Sequence, residues 1–376
     1  MEIVIRIISR YLIKEVVAAL LAVTVVLLLI FLSNQLVRYL SYAASGKIAA
    51  HLVVQLMGYE IPYLLALLLP LSLYLGIILA YGRLYADSEM AVLNACGMGT
   101  KQLLQVTSML AVVVTGIVVV LMLWINPVIA RDKARGLAQN NILDTLRPGR
   151  FQVLGDGRRV VYVEKISRDR QHADNLFIAE EKKPLPDDNN ASWVVVSAAH
   201  GFQVKEPTTQ EKFIVSTDGY RYEGIPGRNE YKIIQFKQYS VRAPAPISNV
   251  RLEQEAIPTA KLWADYANPT SAAELQWRLS MPLSVLVLML LALPFSHIRP
   301  RQGRYINLLP AVLVYIIYVN LLFVSRNWVE IKMVPIFLGM WWVHLTILAV
   351  AILFVFMQHR YQLRPFWLKK PRYQPL

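Results

Sequence analysis

The chain has 376 residues, 56% of them hydrophobic, a formal net charge of +14 and a single cysteine, Cys96. Apolar residues gathered in a few long blocks exclude one soluble globule, and one cysteine excludes an intrachain disulfide or a cysteine-rich metal site. Nucleic-acid binding is not the reading of the charge. The stretch 126–278 holds 22 Lys and Arg against 19 Asp and Glu, and the remainder 17 against 6, so the excess sits at the ends of apolar runs, where membrane topology puts it.

Arg6, Arg10 and Lys14, set among Ile3, Ile7, Ile8 and Tyr11, open the chain as a short amphipathic lead-in, followed by an uncleaved first span over Val16–Leu32. A second span over Ile61–Ala80 contains Pro62 and Pro70 and is expected to bend. The loop after it reads as a short surface helix: Asp87 or Ser88 as cap, Glu89 in the first turn, Met90 and Leu93 as apolar contacts, Gly97 as stop. A third span, Val106–Ile125, ends at Asn126-Pro127. Three more follow the polar insert at Leu279–Phe295, Ile306–Val324 and Val334–Met357, the first of them short enough to need Trp277 or flanking arginines at its ends. Gly76, Gly116 and Gly339 are positions where helices could approach closely.

Three domains follow: a membrane half at 1–125, an insert at 126–278 and a second membrane half with a basic tail at 279–376. Six spans place both termini on one side. Thirteen cations fall on that side (Arg6, Arg10, Lys14, Arg83, Lys101, Arg299, Arg301, Arg304 and five in the tail) against Arg38, Lys47, Arg326 and Lys332 on the other. The positive-inside bias puts the termini in the cytoplasm and the insert outside, which in a two-membrane bacterium is the periplasm.

Within the insert, a polar helix at Arg131–Leu146 precedes candidate strands at Val160–Ile166, Leu176–Ala179, Trp193–Ala198, Phe202–Lys205, Phe213–Ser216 and Tyr231–Tyr239. Turn signals stand at Asp156-Gly157, Pro186–Asn190, Asp218-Gly219 and Pro226-Gly227. Many short strands with few helices favour a β-sandwich or jelly-roll.

The sequence contains no G-x-x-x-x-G-K-[ST] phosphate loop, no H-E-x-x-H pair and no clustered histidines. Transport, anchoring or recognition fits better than catalysis. Arg38, the first charge beyond the first apolar run, reads either as a snorkelling anchor or as a guanidinium that pairs with a phosphate or carboxylate on an amphipathic ligand. Glu89 reads either as a helix-end stabiliser or as a carboxylate facing a cationic groove in a partner. Arg299, Arg301 and Arg304 are topology-setting charges or a lipid or partner contact.

LVRYL at Leu36–Leu40, GRLYADSEMAVLNACGMG at Gly82–Gly99, LQWRLSMPL at Leu275–Leu283 and PRQGR at Pro300–Arg304 together resemble the permease family of the bacterial lipopolysaccharide export machinery, most closely its F-type subunit. The resemblance implies six transmembrane helices in two groups of three with an inserted periplasmic β-jelly-roll. It implies a half-transporter that pairs with a G-type permease subunit and two copies of a cytoplasmic ATPase. Lipopolysaccharide would be extracted from the inner membrane and passed to a periplasmic jelly-roll bridge protein, with a regulatory single-span jelly-roll subunit attached. The chain itself would hold no cofactor, since ATP and Mg are bound by the partner ATPase.

By position, the helix around Asp87–Ala95 resembles the family's coupling helix, with Glu89, Met90 and Leu93 facing the ATPase, and Arg38 matches a basic residue near the ligand's phosphorylated head group. Val161, Val163, Ile178, Val194, Val196, Phe213, Val215, Ile234 and Phe236 would form the inside of the jelly-roll, as plain core or as a lipid route. The competing readings are a membrane-anchored periplasmic scaffold that moves no lipid and a permease for another amphipathic lipid.

Overall fold

The computed structural model describes residues 2–45, 48–139, 143, 146–154, 157–169, 171–182, 192–205, 212–242, 250–297 and 305–363. The chain divides into two compact units. One comprises Met1–Phe31, Glu60–Ala130 and Gln254–Leu376, the other Leu32–Tyr59 and Arg131–Glu253.

The first unit is helical. α1 (Glu2–Ala44) contains the cationic lead-in and the first apolar run as one uninterrupted 43-residue helix, so the lead-in is not a separate element. α2 (Leu52–Ala86) passes through Pro62 and Pro70 without ending. Gly76 brings it against α1: a Cβ there would lie 3.0 Å from the Leu20 nitrogen, a tight contact that the absence of a side chain relieves. Gly116, by contrast, faces open space.

After α3 (Glu89–Ala95), α4 (Thr100–Val120) runs into a π-helical turn at Leu121–Ile125 and on into α5 (Asn126–Gln139). Asn126-Pro127 is therefore not an exit. Pro127 has no N–H to give the Leu123 carbonyl; the wider turn accommodates this, and the Thr259 hydroxyl donates to that carbonyl at 2.8 Å.

The returning chain forms α6 (Val250–Glu255), α7 (Thr259–Ala264), α8 (Pro269–Ser296), α9 (Leu308–Glu330) and α10 (Trp341–Leu363). α8 starts ten residues before the expected span because Asn268 caps it, its side chain accepting from the Thr270 N–H with Pro269 in the first turn. Trp277 and Arg278 are consequently buried inside the helix rather than snorkelling at its end.

α2 and α8 are mostly buried, whereas α1, α4 and α9 present apolar faces outward. Leu21, Val26 and Leu29 on α1 and Leu309 and Ile317 on α9 are all more than half exposed, a surface suited to hydrocarbon and not to water.

The six-span expectation needs correction. Among the described residues, five helices are long and apolar enough to cross a membrane, and the last helix, α10, begins at Trp341, seven residues after the expected start of the sixth span. The expected sixth span loses its first turns because Pro335 to Gly339 form a separate turn, closed by hydrogen bonds from Leu338 and Gly339 back to the Pro335 carbonyl.

The β-jelly-roll and the β-sandwich are also overturned. Strands β1 (Gln152–Leu154), β2 (Arg159–Ile166), β3 (His172–Lys182), β4 (Ser192–Lys205), β5 (Lys212–Gly224) and β6 (Tyr231–Arg242) form one antiparallel sheet in sequence order. Among the described residues every pairing joins sequence neighbours, with no Greek-key crossover, and β1 does not meet β6. The reason is strand length. Trp193–Ala198 and Phe202–Lys205 are halves of the 14-residue β4, and Asp218-Gly219 lies inside β5 instead of turning the chain.

A transverse bend produced that appearance of short strands. Pairing skips Glu164, Asn175, Ala199, Asp218 and Lys237, one residue in each of β2 to β6. Asn175 and Asp218 there have φ of 51° and 52°, a conformation that Asn and Asp tolerate better than other side chains. One extra residue per strand reverses the in–out alternation across the line. Val161 and Val163 on one side, and Ile166 on the other, thus join the same hydrophobic core.

The cationic stretch Arg299–Arg304, with its PRQGR sequence, the Pro186–Asn190 turn, Lys47 and the tail beyond Leu363 lie outside the described residues.

Candidate functional site

α3 carries the candidate coupling residues. It starts without the expected side-chain cap: Ser88 occupies the cap position with φ of 62° and makes no capping hydrogen bond. The helix is held from elsewhere. Met90 is buried in the helical core and Leu93 packs partly buried against it. The Tyr11 hydroxyl of α1 donates to Glu89 Oε2 at 2.8 Å. One turn along α1, Glu15 pairs with Arg83 at the end of α2, 2.9 Å apart. Glu89 is half-buried, so Met90 and Leu93 face inward while Ala91, Val92 and Asn94 face out, Val92 being 63% exposed. Sequence reasoning passed over Val92; the signal available was its place between the inward Met90 and Leu93.

Arg38 stands on the outer surface of α1, exposed, between the exposed Val37 and the buried Tyr39. Tyr39 packs with Ala43, Ile48, Val53 and Leu56, and Lys133 Nζ lies 6.0 Å from its ring centre. The ammonium of Lys133 thus approaches the Tyr39 ring, and Arg38 is the neighbouring exposed cation on α1.

The sheet gathers most of the proposed route residues. Val161, Val163, Ile178, Val194 and Val196 join Leu143, Leu146 and Ile214 in one buried cluster, with Phe236 packed partly buried against it. Ile234 is half-buried and lies in the cross-strand row Val161, Ile178, Val196 and Arg221. Phe213 and Val215 do not belong to this cluster. The bend at Asp218 reverses alternation along β5, so Ile214 takes the core position that unbroken alternation assigns to its neighbours. At the rim, Lys182 donates to Glu223 at 2.8 Å and Arg221 to its other oxygen at 2.8 Å. The Lys182 hydrogen bond, reinforced by the Arg221 charge, holds the Glu223 carboxyl below its ordinary value despite partial burial.

Sequence reasoning missed a buried ionic cluster in the helical unit. Glu274 accepts from Arg278 Nε on one oxygen and from Arg326 Nη2 on the other, each at 2.7 Å, and Arg326 Nε donates to Glu330 at 3.0 Å. Glu274, Arg278 and Arg326 are at most 3% exposed. Arg278 also donates to the carbonyls of Ile257 and Glu255 and to the Thr259 hydroxyl, and Arg326 lies over the Trp277 ring at 5.1 Å. Two carboxylates and two guanidinium groups cancel in charge, which is what allows them to be buried together. Arg326 is thus not the outer-loop cation of the topology count. The signal was present as two i,i+4 pairs, Glu274/Arg278 and Arg326/Glu330; what pairing rules along one helix could not reveal is that the two pairs mesh.

Among the described residues, no group of three or more His, Cys, Asp or Glu is placed to hold a metal ion.

The family of the lipopolysaccharide export system permease LptF/LptG matches residues 10–357, taking in both the helical unit and the sheet. The lipopolysaccharide export system permease protein LptF of Escherichia coli strain K12 is 32% identical over 352 residues, covering 92% of this chain and 93% of that protein. LptF proteins of Escherichia coli O157:H7 and Shigella flexneri match to the same extent. A match that runs through spans, α3 and strands alike cannot come from shared hydrophobicity alone. The chain belongs to the lipopolysaccharide export system permease LptF/LptG family and is a multi-pass membrane permease subunit.

Proposed function

We propose that this chain is the F-type half of an ATP-driven exporter in the bacterial inner membrane that lifts lipopolysaccharide out of the bilayer. The observation that carries this reading is the match to LptF proteins over 92% of the chain. A G-type permease completes the cavity, two copies of a cytoplasmic ATPase supply the work, and a periplasmic bridge protein receives the lipid. The cations at Arg6, Arg10, Lys14, Arg83 and Lys101 keep the start of α1 and α3 in the cytoplasm. The β-sheet unit then projects into the periplasm.

Each part has a physical task. Every acyl CH₂ exposed to water costs about 0.8 kcal/mol, so lifting a multi-chain lipid requires a second apolar surface to receive it. The outward faces of α1 and α9 line that surface together with the G-type partner. Arg38, assisted by Lys133, holds the phosphorylated sugar head by charge-assisted hydrogen bonds. Glu89 and the exposed Val92 meet the ATPase, the carboxylate by charge and the valine by contact. In the sheet unit, acyl chains pass along the Val161, Val163, Ile178, Val194 and Val196 face by displacing Leu143 and Leu146, which now fill it.

Photocrosslinking tests this reading. A photoreactive residue at Arg38, and separately at Val196, is expected to capture lipopolysaccharide in the assembled complex, with capture at Val196 rising on ATP addition. An actively transporting complex that yields no adduct at either position would overturn it.

A further inference from the structure

The only side-chain hydrogen bond described for Glu89 comes from α1: the Tyr11 hydroxyl donates to Oε2 at 2.8 Å across 78 residues of sequence. A tyrosine hydroxyl engages one oxygen and leaves the other to accept from a cationic donor. The helix that Glu89 opens has unusual need of such a tether. It has only seven residues, its cap residue Ser88 sits in the left-handed region, and the Ser88 side chain makes no capping bond. A left-handed non-glycine residue persists only where its surroundings over-determine it. Those surroundings come from three levels of contact between α1 and the α2–α3 segment: Leu20 against Gly76, Glu15 with Arg83, and Tyr11 with Glu89.

We propose that Tyr11 is a positioning residue for ATP coupling. Its hydroxyl fixes the Glu89 carboxylate and makes α3 and the cytoplasmic turns of α1 move as one body. A push delivered to α3 by the ATPase is then passed directly to α1, instead of being absorbed by rotation of a short, uncapped helix about Ser88. This inference rests on Glu89 being the ATPase contact and adds the element that receives the force.

The test uses the full complex of this chain with its G-type partner and ATPase, reconstituted in proteoliposomes, and reads lipopolysaccharide released per ATP hydrolysed. Tyr11→Phe keeps the ring and removes the hydroxyl. Complex yield and melting temperature are expected to stay unchanged while release per ATP falls roughly tenfold, the effect of losing one hydrogen bond to a charged group. In a double-mutant cycle with Glu89→Ala, the double variant is expected to be no worse than Glu89→Ala alone, because both remove the same contact.

An unchanged ratio in Tyr11→Phe, or losses that simply multiply in the double variant, overturns the role of Tyr11. If Glu89→Ala itself leaves the ratio intact, the ATPase contact fails instead. A drop in complex yield for Tyr11→Phe also counts against the proposal, since it would mark the bond as structural.

Discussion

The two units solve the problem of buried polarity in opposite ways. In the helical unit the backbone is satisfied mainly within each helix, with side chains such as Thr259 serving carbonyls that prolines leave free, and the polar interior holds an ionic set, Glu274, Arg278, Arg326 and Glu330, that also captures carbonyls of the returning linker. In the sheet unit the backbone is satisfied only by neighbouring strands, and the sheet ends at the three-residue β1 on one side and the twelve-residue β6 on the other. Its ion pairs, such as Lys182 with Glu223, lie at the rim. A lipid environment tolerates only the first arrangement, because an unpaired strand edge has no water to bond. The second leaves edges available to other strands and fits an aqueous compartment.

Disrupting each unit in turn separates them. The largest effect is expected from Glu274→Ala, which leaves the buried Arg278 without a carboxylate partner and Arg326 with Glu330 alone, and costs about 3–5 kcal/mol. Its melting temperature in detergent should fall, with faster hydrogen exchange in α8 and α9 and little change in β3 to β5. Asp218→Val comes next. A β-branched residue at φ of 52° is strained, at a cost of about 1–3 kcal/mol, and the exchange pattern should be the reverse, confined to the sheet. Asp218→Gly should be tolerated. Thr259→Val removes the hydroxyl that donates to the Leu123 carbonyl and accepts from Arg278, and is expected to cost about 1–2 kcal/mol, visible at α4 and α8.

The smallest effect is a pH dependence. Because the folded Glu223 carboxyl lies below its ordinary value of 4.5, its contribution is fully present above that value and is lost as pH falls through the lower folded one. Glu223→Gln should lower the sheet's stability slightly at neutral pH and leave it almost unchanged at acid pH, so that the acid-side fall flattens. Acid sensitivity that is identical in the variant would show that Glu223 does not carry it.

The same contrast explains what could be read from the chain. Long apolar runs announced the membrane unit, and the Gly82–Gly99 and Leu275–Leu283 stretches carried the family resemblance. Span ends were misjudged at Pro127, where Thr259 from another element accommodates a local stop signal, and ahead of α8, where the local cap Asn268 starts the helix early. In the sheet, alternation identified Val161, Val163, Ile178, Val194 and Val196 correctly as inward, since all five lie on one side of the bend. Phe213 and Val215, across the bend at Asp218, fall outside that cluster although Val215 is buried, because a reversal shared by five strands is a property of the sheet and not of any one segment. The Tyr11 to Glu89 contact spans α1 and α3 and has no local signature at all.

We propose that this chain moves lipopolysaccharide with energy supplied by a partner. The most direct test is ATP-dependent release of lipopolysaccharide from proteoliposomes containing this chain, a G-type partner, the ATPase and a periplasmic acceptor. Release that requires both ATP and this chain, and that stops with Glu89→Lys, is the expected result. ATP turnover at the normal rate with no lipid reaching the acceptor, or release undiminished when this chain is omitted, would contradict it.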